Sequence, residues 1–236
     1  MLRWETLGSR LLFPLIVVVQ ILAGAGFVLG FGLLVPNLDT AMALYLSTGA
    51  VVMSLVLIGL VVTPQGIAQQ KMEGSYEYLW SLPVPRSAAT MASVSLAALA
   101  AIPGVVVALL VAAWRYDISF TVSMAVVPGC VLTLLCACFI GAAVAHGVAE
   151  PQVTLLFTQL VVFFLIGFSP VSFPIDRLPD WLATVHEFLP IHHMAIVVRS
   201  GLTTDMVNAT PSDWILLGAW TAIAGLVTGL VLVRRK

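Results

Sequence analysis

The chain has 236 residues, of which 61% are hydrophobic and only 9% are charged, and its formal net charge is −1. A soluble domain carries roughly 25% charged residues, so this composition excludes a chain that buries its apolar surface in one water-soluble core. The mean hydropathy of +1.09 predicts an integral membrane protein. The balanced charge gives no sign of a nucleic-acid partner, and none is expected.

Six apolar segments are long enough to cross a bilayer, which requires about 20 residues per helix. In chain order they are Phe13–Val35, Thr40–Val62, Ser87–Ala113, Val122–Ala145, Val153–Phe173 and Asp213–Val233. The first segment follows two arginines, as in a signal peptide, but it runs far beyond the roughly 7–15 apolar residues of a signal sequence. We therefore interpret it as a retained span. The predicted fold class is all-α, a polytopic membrane protein with six transmembrane helices.

The first dozen residues are predicted to form a short amphipathic helix, because Trp4, Leu7 and Leu11 fall on one helical face. Such a helix is expected to lie on the inner membrane surface. A frayed N-terminal tail is the alternative.

The basic residues indicate how the chain is oriented. One side of the membrane would hold seven of them: Arg3, Arg10, Lys71, Arg86, Arg234, Arg235 and Lys236. The other side would hold three: Arg115, Arg177 and Arg199. Because basic residues concentrate in cytoplasmic segments, we expect a multi-pass protein of the cell (inner) membrane with both termini in the cytoplasm.

The connection between the fifth and sixth spans, residues 174–211, is predicted to contain two outer helices. The first follows Pro179 and carries an apolar stripe that includes Trp181, Val185 and Phe188. Pro190 stops it, because proline cannot continue a helix interior. A second amphipathic helix then runs to about Gly201. Both are expected to dip into the membrane from the outer face.

The predicted spans provide no obvious energy source for transport. No Asp, Glu, Lys or Arg falls within the hydrocarbon part of any predicted span, whereas ion-coupled carriers usually place ionisable groups there. A phosphate-binding loop requires Gly-Lys-Ser/Thr, but Lys71 follows Gln70 and Lys236 follows Arg235. We expect no enzymatic activity in this chain, so any active transport would draw its energy from another chain.

A metal or catalytic centre is also not expected. The adjacent His192 and His193 would point about 100° apart on a helix, and with His186 and Glu187 they fit interfacial polar residues better than a zinc site. The three cysteines all lie inside one apolar run, which does not indicate a disulfide framework.

The most unusual stretch is "KMEGSYEYLWSLPVPR", Lys71 to Arg86, between the second and third predicted spans. It combines aromatic residues with charged neighbours, a composition typical of protein interfaces. The candidate contact residues are Glu73, Tyr76, Glu77, Leu79, Trp80 and Arg86. An aromatic belt at the membrane interface with a positive-inside arginine explains the same residues equally well.

Two stretches resemble signatures of the permease subunits of ABC type-2 exporters. "EGSYEYLWSLPVPR" is similar to that family's segment between spans two and three, and "FSPVSFPIDRLPDWLATVHEFLPIHHMAIVVRSGL" is similar to the region that ends span five. The six spans and the N-terminal surface helix match as well. The resemblance therefore covers residues 1–236 as a single permease domain.

The resemblance implies an ATP-binding partner. Residues 64–86 would form the cytoplasmic coupling loop, seated in a groove of the ATP-binding subunit, and residues 1–12 would form a connecting helix whose Trp4 touches the same subunit. The outer helices within residues 174–211 would cap the pathway. Two permease chains, identical or different, and two ATP-binding subunits would form one transporter. ATP and Mg would bind the partner subunit, so no cofactor is expected in this chain.

A substrate route is then expected between two permease chains. Its candidate lining residues are the polar groups within the spans: Gln20, Tyr45, Ser47, Thr48, Thr158 and Gln159. Some of them are expected to form helix–helix hydrogen bonds instead. Glycines recur four apart at Gly26 and Gly30 and at Gly225 and Gly229. This spacing favours close helix packing, and dimerisation is the weaker alternative.

The largely apolar lining favours a hydrophobic or amphipathic substrate, such as a drug or lipid-like molecule, and hence an exporter of the multidrug-efflux kind. A non-transporting sensor or assembly subunit of the membrane is the alternative function. A secondary carrier is the third hypothesis for the function.

Overall fold

The computed structural model describes residues 12–34, 38–81, 86–203 and 206–234. In this part of the chain the structure is helical and has no strands. The all-α prediction is therefore confirmed. The predicted N-terminal surface helix, with Trp4, lies outside the described residues apart from Leu12.

Ten α-helices follow one another in the described ranges. They are α1 (Leu12–Leu34), α2 (Thr40–Leu57), α3 (Thr63–Met72), α4 (Ser75–Ser81), α5 (Arg86–Tyr116), α6 (Val126–Gly147), α7 (Pro151–Phe168), α8 (Asp180–Phe188), α9 (Pro190–Leu202) and α10 (Pro211–Arg234). A π-helical turn, Ile58–Val62, joins α2 to α3, and a 3-10 turn, Ile175–Arg177, precedes α8.

Six helical segments are long and apolar enough to cross a membrane, as predicted. They are α1, the continuous helix Thr40–Met72, α5, α6, α7 and α10. Two spans end five or more residues away from their predicted ends. The fifth span ends at Phe168 rather than Phe173, because the backbone becomes extended at Ser169 (φ −101°, ψ 142°).

The second span does not end at Val62, as the hydropathy predicts, but continues as helix to Met72. The π-helical turn lies directly before Pro64, whose ring would collide with the carbonyl four residues earlier in a regular α-helix. The wider turn lets the helix pass this proline without breaking. The chain is therefore helical where a loop was expected.

The second span forms the centre of the bundle. Of its most apolar 18-residue window, 89% is buried, against 17–44% for the other five spans. α6 crosses it at the π-helical turn, where a Cβ atom on Gly141 would overlap the carbonyl oxygen of Gly59. Only glycine allows the two backbones to approach this closely.

The two outer helices are present, and Pro190 separates them as predicted, since α8 ends at Phe188 and α9 begins at Pro190. They differ in their surroundings. The apolar stripe of α8 faces away from the chain, with Trp181 69% and Phe188 73% exposed. α9 is instead enclosed by the bundle, and its buried side chains include Met194, Ala195, Val197, Val198 and Leu202.

Candidate functional site

A short helical hairpin extends the second span. α3 ends at Met72, Gly74 turns the chain with φ +74°, and α4 begins at Ser75. A positive φ is readily adopted only by glycine. The hairpin is reinforced at the turn, where Gln69 Nε2 donates to the carboxylate of Glu73 and Ser75 Oγ donates to the carbonyl of Gln70. The segment predicted as a coupling loop is therefore an ordered helix-turn-helix in its described part.

One face of α4 packs against the carboxyl-terminal end of α6. Tyr76 is only 8% exposed, and its hydroxyl lies 2.9 Å from Nδ1 of His146. Its ring belongs to a small buried cluster with Ile67, Ala142 and Ala145. The predicted contact of Tyr76 with a partner stays a prediction, and in this structure the side chain contacts its own chain.

The other face of α4 is open. Glu77 is exposed, Leu79 is half-buried, and Tyr78 is 52% exposed, and Glu73 is exposed at the end of α3, just before the turn. Trp80 lies in α4 and Arg86 begins α5, but both side chains lie outside what the structure describes. The open face thus offers the carboxylate of Glu77 and the ring of Tyr78, and a second exposed carboxylate, that of Glu73, lies at the preceding turn.

Most of the predicted pathway residues are hydrogen-bonded within the chain. Gln20 is buried and its Nε2 donates to the carbonyl of Ser54 at 3.0 Å, which joins α1 to α2. Ser47 and Thr48 donate to carbonyls one turn earlier in their own helix. These three groups therefore have structural partners.

The two predicted pathway residues of α7 differ from each other. Thr158 is buried, accepts a hydrogen bond from Gln65 Nε2 at 3.0 Å, and donates to the carbonyl of Leu155. Gln159 lies at the middle of the same helix and is exposed on its outward face. Of the six candidates, Gln159 is the one that the described chain leaves most open.

Tyr45, the remaining pathway candidate, belongs to a buried group near the end of the fifth span, which we call the outer cluster: Tyr45, Arg199 and residues 170–173. The Tyr45 hydroxyl lies 2.6 Å from the carbonyl of Pro170 and 3.0 Å from that of Phe173. The Arg199 guanidinium stacks on the Tyr45 ring at 3.7 Å from its centroid. The cluster therefore joins α2, α9 and the turn that follows α7.

Arg199, which the positive-inside count assigns to the outer side of the membrane, is buried inside the chain. It is only 3% exposed, and it donates to the carbonyls of Pro170 at 3.2 Å and Val171 at 2.6 Å. Burial lowers the pKa of Arg199 to about 10, so it remains protonated at neutral pH. A signal for this burial was present, because Arg199 lies four residues after Ala195 and three before Leu202, on the apolar face of α9.

Two histidines of the outer helices, His186 and His193, take part in hydrogen bonds. His193 places Nδ1 2.9 Å from Oδ1 of Asp213 and Nε2 3.0 Å from the carbonyl of Glu187. Asp213 also accepts from the backbone and hydroxyl of Thr210 at the start of α10, a capping box that the spacing Thr-x-x-Asp could have revealed. No three metal-binding side chains are grouped within the described ranges.

Burial, assisted by the neighbouring His193, lowers the pKa of His192 to about 4. His192 is therefore neutral at physiological pH.

The chain was also compared with known proteins. The sequence family described as "ABC-2 family transporter protein" matches residues 31–230. None of the curated proteins matches the chain.

Proposed function

Because the chain belongs to the ABC-2 family of transporter proteins, we propose that it is the permease subunit of an ATP-driven exporter that moves hydrophobic or amphipathic molecules out of the cell. The chain is a multi-pass membrane component of a transporter. Permeases of this family generally work with a separate ATP-binding subunit. In the proposed assembly, two permease chains and two such subunits form one exporter, and ATP and Mg bind the subunits.

The observation that carries the proposal is that one face of α4 packs on the chain while the other is exposed. Its Tyr76 side holds the helix to the rest of the chain, and its open side presents Glu77 and Tyr78, while Glu73 is exposed at the preceding turn. Interfaces favour aromatic anchors, and paired carboxylates suit a groove with basic residues. A helix that served only as a membrane-interface belt would not need an exposed carboxylate beside its aromatic ring.

The length of the second span supports the same assignment. The continuous helix Thr40–Met72 has 33 residues, which corresponds to about 50 Å at 1.5 Å per residue. The hydrocarbon core of a bilayer is about 30 Å thick, so one end projects roughly 20 Å beyond it. This projection carries α3 and α4 into the aqueous phase, on the side that the basic residues assign to the cytoplasm.

The proposed substrate class follows from the distribution of charge. In the described spans, Asp, Glu, Lys and Arg lie only within the first or last three residues of a helical segment. A route between two such chains would have an apolar wall with scattered amides and hydroxyls, of which Gln159 is exposed. Such a wall accommodates apolar molecules better than ions or long polar glycans.

Co-purification tests the proposed function. The tagged full-length chain is purified from its own membranes, and bound proteins are identified by mass spectrometry together with an ATPase assay. We expect an ATP-binding subunit with the wild type and at least about tenfold less of it with Glu77→Arg, because like charges at an interface are costly. Glu150→Arg is the matched control, since Glu150 is an exposed acid at the start of α7, beyond the same end of α6.

The outcome separates the proposal from its alternatives. An ATP-binding subunit that binds the wild type and Glu150→Arg but not Glu77→Arg supports docking on α4. If a subunit binds but vesicles show no ATP-dependent movement of amphipathic dyes, the sensor or assembly function is favoured. If no ATP-binding subunit is recovered with the wild type, the exporter assignment is refuted.

A further inference from the structure

Lys71 lies at the point where the helical hairpin meets α6. Its Nζ donates to the carbonyls of Ala145 and Val148, the latter at 2.7 Å, and lies 5.3 Å from the centroid of the Tyr76 ring. The last carbonyls of a helix have no partners within the helix, and the helix dipole makes that end negative. A half-buried ammonium group therefore caps the carboxyl-terminal end of α6 from a neighbouring helix.

A second contact fixes the same two elements. The Tyr76 hydroxyl meets His146 Nδ1 at 2.9 Å, and both side chains are buried. Lys71 is in the last turn of α3 and Tyr76 is in the first turn of α4, so the contacts lie on both sides of the Gly74 turn. We call these three residues, Lys71, Tyr76 and His146, the clamp. It leaves the hairpin little freedom to slide along α6.

Nearer the middle of α6, this helix also contacts the π-helical turn and the start of α3. Gly141 packs directly on the backbone of Gly59, and Thr63 Oγ1 lies 3.7 Å from Cys138 Sγ. α6 is in turn joined to α10, because Thr228 Oγ1 donates to the carbonyl of Phe139 at 2.8 Å. α3, α4 and the carboxyl-terminal half of α6 are thus held together at successive levels.

We propose that Lys71 is a positioning residue that, through the clamp, makes α4 and the fourth span move as one body. A displacement of α4 would then be passed directly to α6 and from there to α10, rather than being absorbed at the Gly74 turn. The part of this inference that concerns an ATP-binding subunit rests on the proposed function. The clamp itself is a property of the isolated chain.

Hydrogen–deuterium exchange of the full-length chain in lipid nanodiscs tests the clamp. Lys71→Met keeps the aliphatic stem but removes the ammonium group, and Lys71→Arg restores a cation. We expect exchange in residues 75–81 and 142–148 to rise about tenfold in Lys71→Met, the factor that a hydrogen bond to a charged group is worth. Lys71→Arg should recover most of the protection, and α1 should be unchanged in both.

Gln69→Ala is the matched control, because it removes an exposed hydrogen bond whose donor, Gln69, and acceptor, Glu73, both belong to the hairpin. Unchanged exchange in residues 142–148 of Lys71→Met would overturn the clamp. So would an equal rise in Gln69→Ala, because the effect would then belong to the hairpin and not to its attachment.

The second arm uses the assembled complex. With a bound ATP-binding subunit, ATP and vanadate should change the exchange of α6 in the wild type. In Lys71→Met the subunit should still co-purify, while the nucleotide-dependent change in α6 falls at least about fivefold, since a lost charged hydrogen bond loosens the link. An undiminished change in α6 would overturn the role of Lys71. If no subunit binds the wild type, the proposed function fails. The clamp is then still tested by the hydrogen–deuterium exchange of the isolated chain.

Discussion

Replacement of Arg199 by methionine tests whether the buried cation of the outer cluster holds the outer helices to the bundle. Methionine is unbranched and fills much of the same space, but it cannot donate hydrogen bonds or stack as a cation. The carbonyls of Pro170 and Val171 would lose their guanidinium donors, and the Tyr45 ring would lose its cation. The variant therefore isolates the charge from the packing.

The expected loss of unfolding free energy in Arg199→Met is the difference between two opposing effects. Two hydrogen bonds from a charged group contribute about 1.5–3 kcal/mol each, and a desolvated cation–π contact contributes about 2 kcal/mol. Against them stands the cost of removing the guanidinium from water, which lowers the pKa of Arg199 and is on the order of 3 kcal/mol. We expect Arg199→Met to lower the free energy of unfolding by about 2–5 kcal/mol.

The measurement is equilibrium unfolding of the purified chain by sodium dodecyl sulfate in mixed micelles, followed by circular dichroism. Arg199→Lys should lose about half as much, since an ammonium group can donate to both carbonyls but lacks the planar face that stacks on tyrosine. A change within about 0.5 kcal/mol for Arg199→Met, the range of an ordinary surface substitution, would refute the structural role assigned to this residue.

Three further predictions can be checked by the same unfolding assay. Gly141→Ala should cost about 1–3 kcal/mol, because its Cβ would overlap the backbone of the π-helical turn, whereas Gly30→Ala, with open space around it, should not. Asp213→Asn should cost about 1–2 kcal/mol, because it weakens a helix cap and the contact with His193. Equal losses in Gly30→Ala and Gly141→Ala, or none in Asp213→Asn, would contradict these assignments. Burial lowers the pKa of His192 to about 4, while the unfolded chain takes up that proton near pH 6.5. Stability should therefore fall as the pH drops from about 6.5 to about 4, and less steeply in His192→Gln; identical slopes would contradict this.

The number and order of the spans could be predicted from the sequence because every span is a local apolar segment that hydropathy alone identifies. The outer helix pair was also predictable, since Pro190 stops a helix whatever surrounds it. The extension of the second span to Met72 was not. Hydropathy reports where a helix leaves the hydrocarbon core, and it does not report where the helix ends.

The orientation of side chains at the candidate site was harder to predict. Tyr76 and Tyr78 are two residues apart in a seven-residue helix, and composition cannot tell which of them faces inward. The choice depends on the Gly74 turn and on His146, which is 70 residues away in sequence. Arg199 is similar, because its partners are the carbonyls of a turn 28 and 29 residues earlier. Such contacts arise only in the folded chain.

Site-specific photo-cross-linking in native membranes tests the central claim most directly, namely that α4 docks a separate ATP-binding subunit. A photoreactive phenylalanine analogue replaces Tyr78 on the open face of α4, and in a control it replaces Trp181, an exposed aromatic residue of α8. The account predicts a cross-link to an ATP-binding subunit from position 78 and none from position 181. No cross-link to such a subunit from position 78, or one from position 181, would contradict it.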